Sequence, residues 1–228
     1  SKPKTISINC CTKTSTTDQQ TFTDFSSMKL YITLYAVAGA LVSANSQCSR
    51  DNSSNYFALN MQWPPSFGKS FEAWTLHGLW PSRNTTETYP CDCTKEDFDV
   101  KSISNETLSE MTNFWGTLFP KKHTNLWFWG HEWSKHGTCA GYKSQTAYFQ
   151  AALDFRQRYK PDLGKGNYSY AEILEKFQFK PVLQCQVYNN QLDLQVVQVC
   201  ISKKTQQLMD CPEESHGDSC QPDQRIFL

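Results

Sequence analysis

Ten cysteines constrain the fold of this 228-residue chain more than any other feature. Cytosolic proteins rarely carry so many unless they bind zinc, and zinc sites favour closely spaced pairs such as C-x-x-C. No C-x-x-C occurs here; the close pairs are the adjacent Cys10 and Cys11 and the C-x-C of Cys91 and Cys93. The cysteines therefore predict disulfide bonds formed in an oxidising compartment.

Residues 28–47, MKLYITLYAVAGALVSANSQ, have the composition of a secretory signal peptide. A Met and one Lys precede about fifteen apolar residues, and small residues around Ala44 suit a signal peptidase. The run is too short for a membrane anchor, and a buried helix at 30–44 is the less favoured alternative. We predict that Met28 is the true start, that 1–27 are upstream or non-native sequence, and that 28–46 are a signal peptide.

The remaining segment, 47–228, holds eight cysteines, an even number as a disulfide framework requires. Four N-x-S/T sequons fit the same compartment. The sequence has no second long apolar run, so we expect no membrane attachment after cleavage. The predicted location is extracellular, or the lumen of a lysosome or vacuole. The candidate glycosylation sites are Asn52, Asn84, Asn105 and Asn167.

Hydrophobic periodicity predicts a mixture of strands and helices without regular β-α-β alternation. Residues 55–63 suit a strand ended by two prolines, and 182–188 with 192–201 suit a hairpin. Apolar residues at helical spacing predict helices at 106–118 and 146–159, and a capping box at 169–172 opens a third that continues to 177. The predicted class is α+β: one disulfide-stabilised domain with a central, mostly antiparallel sheet flanked by helices.

Two short segments concentrate the polar residues that can do chemistry. They read WTLHGLWP at 74–81 and FWGHEWSKHGTC at 128–139, and they contain three of the five histidines. If the second is a helix that ends at Gly137, residues four apart lie on the same face. His131 and Lys135 then share a face with Glu132 and His136.

A carboxylate, an ammonium group and two imidazoles on one face are costly unless a ligand lies between them, such as a metal, a phosphate or a partner chain. The alternative is a solvated, charged helix face. Three aromatic residues, Phe128, Trp129 and Trp133, interleave with the polar ones. Their presence favours a cleft over a free surface.

The second segment departs from the zinc-protease signature H-E-x-x-H. Lys135 stands four residues after His131, and the next histidine, His136, stands five after it. A charged Lys is a poor ligand, and a spacing of five turns the second imidazole away from the first. A Cys–His nucleophile pair is also disfavoured, because Cys139 is expected in a disulfide. We expect neither a metal nor a cofactor.

With a zinc site and a Cys–His nucleophile disfavoured, the remaining interpretation is acid–base chemistry on a bound anion. Cleavage of RNA by its own 2′-OH needs a base, an acid for the leaving 5′-oxygen, and positive charge near the phosphorane. Two histidines can be base and acid, while a Lys and a third His hold phosphoryl oxygens. Lys+Arg and Asp+Glu both number 22, so a local site rather than the net charge must hold such a ligand.

Both segments resemble the two active-site signatures of the ribonuclease T2 family, H-G-L-W-P and H-E-W-x-K-H-G-T-C, without interruption. The likeness runs from about Tyr56 to the C-terminus and identifies 47–228 as a T2-like catalytic domain. It implies that His136 is the general base and His77 the general acid. It also implies support of the transition state by Glu132 and Lys135, phosphate binding by His131, and base binding by Trp80 and Phe128, with Gln62 a weaker candidate.

The resemblance also implies a disulfide framework. It pairs Cys185 with Cys220 and Cys200 with Cys211. It pairs Cys139 with Cys91 or Cys93 and leaves the other for Cys48.

Two departures from the family pattern stand out. No cysteine follows Q-W-P, where 66–69 read SFGK, and Ser82 replaces an acidic residue that reads the base in some members. Base preference is therefore left open. His123 and His216 lie outside both motifs and receive no role.

The predicted function is cleavage of single-stranded RNA through a 2′,3′-cyclic phosphate to 3′-phosphate ends, with low base specificity, by a monomer. The alternative is a secreted glycoprotein, such as a toxin, a signal or a storage protein, in which catalysis is secondary or lost. The intact set of His77, Glu132, Lys135 and His136 favours the enzyme.

Overall fold

The computed structural model describes residues 47–85, 88–213, 218–220 and 222–228. The predicted signal peptide, the segment before it and His216 lie outside the described residues. Within these ranges, none of the helices has both the length and the apolar character that crossing a membrane requires.

Each α-helix in the described ranges begins after a Ser or Thr whose hydroxyl oxygen accepts a backbone N–H of the first turn. Such caps stabilise a helix by about 1 kcal/mol. The predicted capping box of Ser169 and Glu172 is confirmed. The helices are α1 (Asn105–Phe114), α2 (Asn125–Lys135), α3 (Gln145–Tyr159) and α4 (Tyr170–Leu174).

Two helices end earlier than the periodicity predicted. Helix α1 ends at Phe114 rather than at 118, because Trp115 leaves the helical conformation and its indole N–H donates to the carbonyl of His77 at 2.8 Å. Helix α4 ends at Leu174 rather than at 177. In α1 a tertiary hydrogen bond overrides a pattern that continues in the sequence.

The strands fall before, between and after these helices along the chain. Their bounds are β1 (Gln47–Ser49), β2 (Tyr56–Gln62), β3 (Thr75–Ser82), β4 (Thr88–Pro90), β5 (Asn167–Tyr168), β6 (Val182–Tyr188), β7 (Gln191–Ser202), β8 (Leu208–Met209) and β9 (Ile226–Phe227). The main sheet runs in the order β3-β2-β7-β9-β5, and β6 and β8 also pair with β7. Every pairing in it is antiparallel except that of β7 with β9, so the predicted α+β class is confirmed. A separate parallel pair joins β1 to β4.

The predicted hairpin is confirmed with a shorter turn. Asn189 and Asn190 have φ of 50° and 61°, as a two-residue turn requires, so Gln191 belongs to β7. Strand β2 is buried at all seven positions rather than on one face.

Aromatic side chains of three helices pack on the sheet. Trp115, Tyr148 and Phe149 are fully buried, and the Tyr148 hydroxyl donates to the carbonyl of Leu79 on β3 at 3.0 Å. The indole of Trp129 donates to the carbonyl of Trp115 at 2.7 Å, which joins α2 to the end of α1. These contacts hold α2 beside β3, where both signature segments lie.

Four disulfides confirm the implied framework and settle the pairing that the sequence left open. Asp92, between the two cysteines of the C-x-C, adopts a φ of 49° and turns the chain between two different partners. Its N–H also donates to the carbonyl of Lys135 at 3.1 Å. The pairs are Cys48–Cys91, Cys93–Cys139, Cys185–Cys220 and Cys200–Cys211.

Candidate active site

His77 lies in a β-bulge of β3. Leu76 pairs with Met61 and Gly78 pairs with Asn60, so His77 is the extra residue between two adjacent pairs. Its carbonyl accepts the indole N–H of Trp115, which satisfies a group that the ladder leaves free. Bulges redirect side chains beside functional sites, and 37% of the His77 side chain is exposed.

Gly78 allows a close crossing of β3 and α2. The Trp80 indole N–H donates to Oε2 of Glu132 at 2.9 Å, directly over Gly78. A Cβ at Gly78 would overlap both Glu132 Oε2 and Trp80 Nε1. The glycine of H-G-L-W-P is therefore required by the hydrogen bond that joins the two signatures.

His136 is the residue that caps the C-terminus of α2, and it is 6% exposed. Its imidazole stacks on the indole of Trp80, with 5.0 Å between ring centroids and 22° between planes. Its Nδ1 is buried and has no hydrogen-bond partner among the described residues. Stacking on Trp80 therefore positions the imidazole.

Gly137, which follows, is as constrained as Gly78. A Cβ there would overlap the ring of Trp133, which is buried and donates from its indole N–H to the carbonyl of Glu96 at 3.1 Å. Gly137 thus lets the chain turn from α2 into a short 3-10 turn, Gly137–Cys139.

Glu132 and His77 form a neutral pair rather than an ion pair. Burial raises the pKa of Glu132 to about 8, although the Trp80 hydrogen bond and the charge of Lys135 act in the opposite direction. Glu132 Oε1 and His77 Nε2 are 3.9 Å apart, too far for a hydrogen bond. At neutral and acidic pH the carboxyl group is therefore protonated in the free protein.

Both imidazoles of the site are poor proton acceptors in the free protein. Burial lowers the pKa of His77 to about 4, with further lowering by the charges of His131 and Lys135. Burial also places the pKa of His136 well below its ordinary value, and the charges of Lys135, His131 and His77 act in the same direction. An anion bound beside these imidazoles would favour their charged forms and raise both pKa values.

His131 and Lys135 are more accessible than Glu132 and His136, so α2 presents two adjacent stripes rather than one uniform face. His131 is exposed, and its imidazole stacks on the indole of Trp127 with an interplanar angle of 5°. The ammonium of Lys135 lies 5.7 Å from the ring centroid of Tyr89. Burial and the charge of Lys135 lower the pKa of His131. The accessible stripe therefore supplies the half-buried ammonium of Lys135 and the imidazole of His131, and the buried stripe holds Glu132 and His136.

The three predicted base-binding residues have different surroundings. Phe128 is half-buried and contacts the ring of His77 at 5.9 Å between centroids. Trp80 contacts both His77 and His136 and packs against a small cluster around Cys200, so its ring already has protein partners. Gln62 ends β2 opposite Thr75 and is 9% exposed.

The structure adds residues that the motifs did not single out. Trp115 holds the bulge carbonyl, Asp92 ties the chain after β4 to the end of α2, and the bulge itself turns His77 toward the site. The Gly after His77 is the sequence signal that could have indicated the bulge, because a Gly inside a strand often marks a bulge or a close backbone approach.

Among the described residues, one group of His, Cys, Asp or Glu has atoms close enough to share a metal, namely Cys48, Cys91 and Asp92. The two cysteines are bonded to each other. A disulfide sulfur is not a thiolate ligand, so this group does not fit a metal.

The model of the ribonuclease T2 family matches residues 42–211. The chain belongs to the ribonuclease T2 family. Its relatives include the intracellular ribonuclease LX of Solanum lycopersicum, 31% identical over 86% of this chain and 91% of that protein. A ribonuclease-like storage protein of Panax ginseng is 31% identical over 71% of this chain and 77% of that protein.

Solved structures agree with this assignment. A mutant of RNase MC1, the ribonuclease from bitter gourd seeds, in complex with 5′-GMP has a TM-score of 0.62 and 27% identity. The alignment covers 77% of this chain and all of that one. This T2 ribonuclease is therefore an endoribonuclease of its family. The hydrogen bond from Trp80 to Glu132 brings its two signature segments together.

Proposed function

We propose that this T2 ribonuclease cleaves single-stranded RNA, with His136 as general base for the 2′-OH and His77 as general acid for the leaving 5′-oxygen. The product is a 2′,3′-cyclic phosphate that is then hydrolysed to a 3′-phosphate. His131 and Lys135 bind the phosphate from the exposed side. Glu132, as a neutral acid, donates a hydrogen bond to the phosphorane as charge develops there.

One observation carries the proposal: two imidazoles, of buried His136 and partly exposed His77, contact the same indole, Trp80, near the ammonium of Lys135. The ring centroid of Trp80 is 5.1 Å from that of His77 and 5.0 Å from that of His136. A base and an acid on either side of one phosphodiester are what transphosphorylation requires. Phe128, beside His77, is the proposed base-stacking surface, and Gln62 a polar base contact.

The purified protein is expected to cleave homopolymer RNA equally well with and without EDTA, because the proposed chemistry uses only side chains. Product analysis should show cyclic phosphates first and 3′-phosphates later. Four homopolymers measured in parallel give the base preference, which we expect to be broad because stacking accepts any base. Loss of activity in EDTA would contradict the mechanism.

The pH dependence should show an acidic optimum. The acid must be protonated, and because the pKa of free His77 is lowered to about 4, kcat/KM should fall as pH rises above that value. A bound phosphate anion raises this pKa, so the basic limb of kcat should lie at higher pH than that of kcat/KM.

Lys135→Ala tests one contribution to the low pKa of His77, the charge of Lys135, which acts in addition to burial and His131. Removing the cation should raise the pKa of His77 and so move the basic limb of the kcat/KM profile to higher pH. It should also lower kcat more than it raises KM. Rates measured from pH 3 to 8 on one substrate give both quantities. An unchanged limb would exclude Lys135 from the electrostatics of His77.

We propose secretion or delivery to a vacuolar or lysosomal lumen, supported by the signal-peptide pattern, four disulfides and four exposed sequon asparagines. N-terminal sequencing of the protein made in eukaryotic cells should find a start near 45–47. Retention of residues 1–27 would contradict this processing.

A storage role is the second candidate, because one relative is named a ribonuclease-like storage protein. The assembled site of His77, Glu132 and His136 supports the enzyme. The RNA assay separates the two: a storage protein of this fold gives no cyclic phosphate product. We also propose a monomer, which sedimentation can check.

A further inference from the structure

A band of aromatic and basic side chains leads away from the proposed phosphate-binding residue. His131 stacks on Trp127, and Trp127 stacks on His123, with 3.8 Å between the last two ring centroids and 13° between planes. The backbone N–H of His123 donates to the backbone carbonyl of Phe119 at 3.0 Å. The series therefore connects the active site to the loop between α1 and α2.

At the far end of this band, two lysine ammonium groups lie near the ring of Phe119. Its ring is 46% exposed and meets Phe67 edge-on, which joins the α1–α2 loop to the loop after β2. The ammonium of Lys69 lies 5.9 Å from the ring centroid of Phe119, and that of Lys122 lies 5.7 Å from it.

Acidic residues are missing from the sequence that builds this surface. Residues 111–131 contain no Asp or Glu, and neither do residues 52–71. Trp127 and His131 also line an open groove of about 670 Å³ whose other walls include the carboxylates of Asp97 and Asp99. An anionic strand that leaves His131 is therefore favoured toward the lysines and disfavoured toward the aspartates.

We propose that Lys69, Phe119 and Lys122 form an extended RNA-binding track, on which a single strand lies after it leaves the catalytic site. The lysines bind phosphates, and Phe119 provides a stacking surface for a base. Exposed aromatic rings with interleaved cations are the chemistry that binds single strands without sequence preference. The track also explains how a chain with 22 charges of each sign holds a polyanion. This inference rests on the proposed function, since it assigns the substrate as an extended strand.

The track should matter only for substrates long enough to reach it. Against wild type, we compare Phe119→Ala and the double variant Lys69→Ala/Lys122→Ala on a dinucleotide and on an oligonucleotide of about twelve nucleotides, a length within the range of single-strand sites. On the oligonucleotide, Phe119→Ala should lose roughly fivefold to a hundredfold in kcat/KM. On the dinucleotide, kcat/KM should stay within about twofold of wild type.

Binding is measured separately with a 2′-O-methyl oligonucleotide, which lacks the attacking hydroxyl and cannot be cleaved. The double lysine variant should flatten the plot of log affinity against log salt by about 1.4, at about 0.7 for each phosphate that is no longer neutralised. Matched controls are Phe179→Ala, exposed by 41%, and Lys176→Ala/Lys204→Ala, on exposed lysines outside the track.

If the track variants lost kcat/KM equally on the dinucleotide and the oligonucleotide, or lost none on either, the proposed track would be wrong. An unchanged salt slope in the lysine variant would also contradict it. If the wild-type protein cleaved neither substrate, the proposed function would fail, while the binding measurement would still decide the track. Control variants that weakened binding as much as the track variants would show a diffuse surface effect and also overturn it.

Discussion

We expect His77→Phe and His136→Phe each to lower the rate of RNA cleavage by roughly 10²–10⁴-fold, the usual contribution of a positioned acid or base. Phe keeps the ring that packs against Trp80, so the loss reports proton transfer rather than packing. Thermal unfolding should confirm that both variants fold. The rates are measured on the same RNA with wild type as reference.

The two roles separate on a substrate with an activated leaving group. Such a group departs without a proton, so it needs little help from the general acid. His77→Phe should therefore be partly rescued on it, while His136→Phe should not, because the 2′-OH must still lose its proton. Hydrolysis of a preformed 2′,3′-cyclic phosphate reverses the assignments, since His77 must then activate water.

Equal rescue of both variants would show that the acid and base are assigned wrongly. A further comparison is His131→Phe, which should chiefly raise KM because its proposed contact is with the ground-state phosphate. If His131→Phe lowered kcat as strongly as the other two, His131 would be a third proton-transfer residue.

Much of the fold could be predicted because local chemistry and tertiary structure agree there. The capping box at Ser169, the two Asn residues of the hairpin turn and the helix that ends before Gly137 all carry strong local preferences. The disulfide framework followed from resemblance except at the C-x-C. There the pairing depends on the turn at Asp92, which no motif encodes.

The errors have a common physical origin. Helix α1 ended early because Trp115 turns to donate its indole N–H to the carbonyl of His77, a contact between residues 38 apart in the sequence. The four polar residues of α2 were expected on one face, but burial divides them, because Glu132 hydrogen-bonds to Trp80 and His136 stacks on it. Periodicity describes one element at a time and does not contain such contacts between elements.

The pKa shifts of the site residues could not be predicted from the motifs either. H-E-W-x-K-H suggests a charged Glu between cations, whereas burial raises the pKa of Glu132 to about 8 and lowers that of His77 to about 4. The burial of these side chains where β3 packs closely against α2 determines both pKa values. Gly78 permits this close packing because it has no Cβ.

Gly78→Ala should therefore disable the site although every proposed catalytic side chain is kept. The new methyl group would overlap Glu132 Oε2 and Trp80 Nε1, so the hydrogen bond that joins β3 to α2 must break or both side chains must move. His136 stacks on Trp80 and would move with it. We expect a loss of activity of roughly 10²-fold, which is what a misplacement of about 1 Å costs.

Gly78→Ala should also lower the free energy of unfolding by about 1–3 kcal/mol, the usual cost of overpacking in a well-packed region. Chemical denaturation of wild type and variant gives this difference, and activity on RNA gives the loss of rate. Both effects can be measured on one preparation of each protein.

Gly130→Ala is the matched control. It makes the same substitution one residue before His131, but in the middle of α2, where the nearest atom to the added Cβ is Cβ of Phe98 at 3.7 Å, an ordinary contact. Replacing Gly by Ala inside a helix stabilises by up to about 1 kcal/mol, so this variant should be active and at least as stable as wild type. If Gly78→Ala behaved like Gly130→Ala, the crossing of β3 and α2 would not depend on the glycine, and the Trp80–Glu132 hydrogen bond would not position His136.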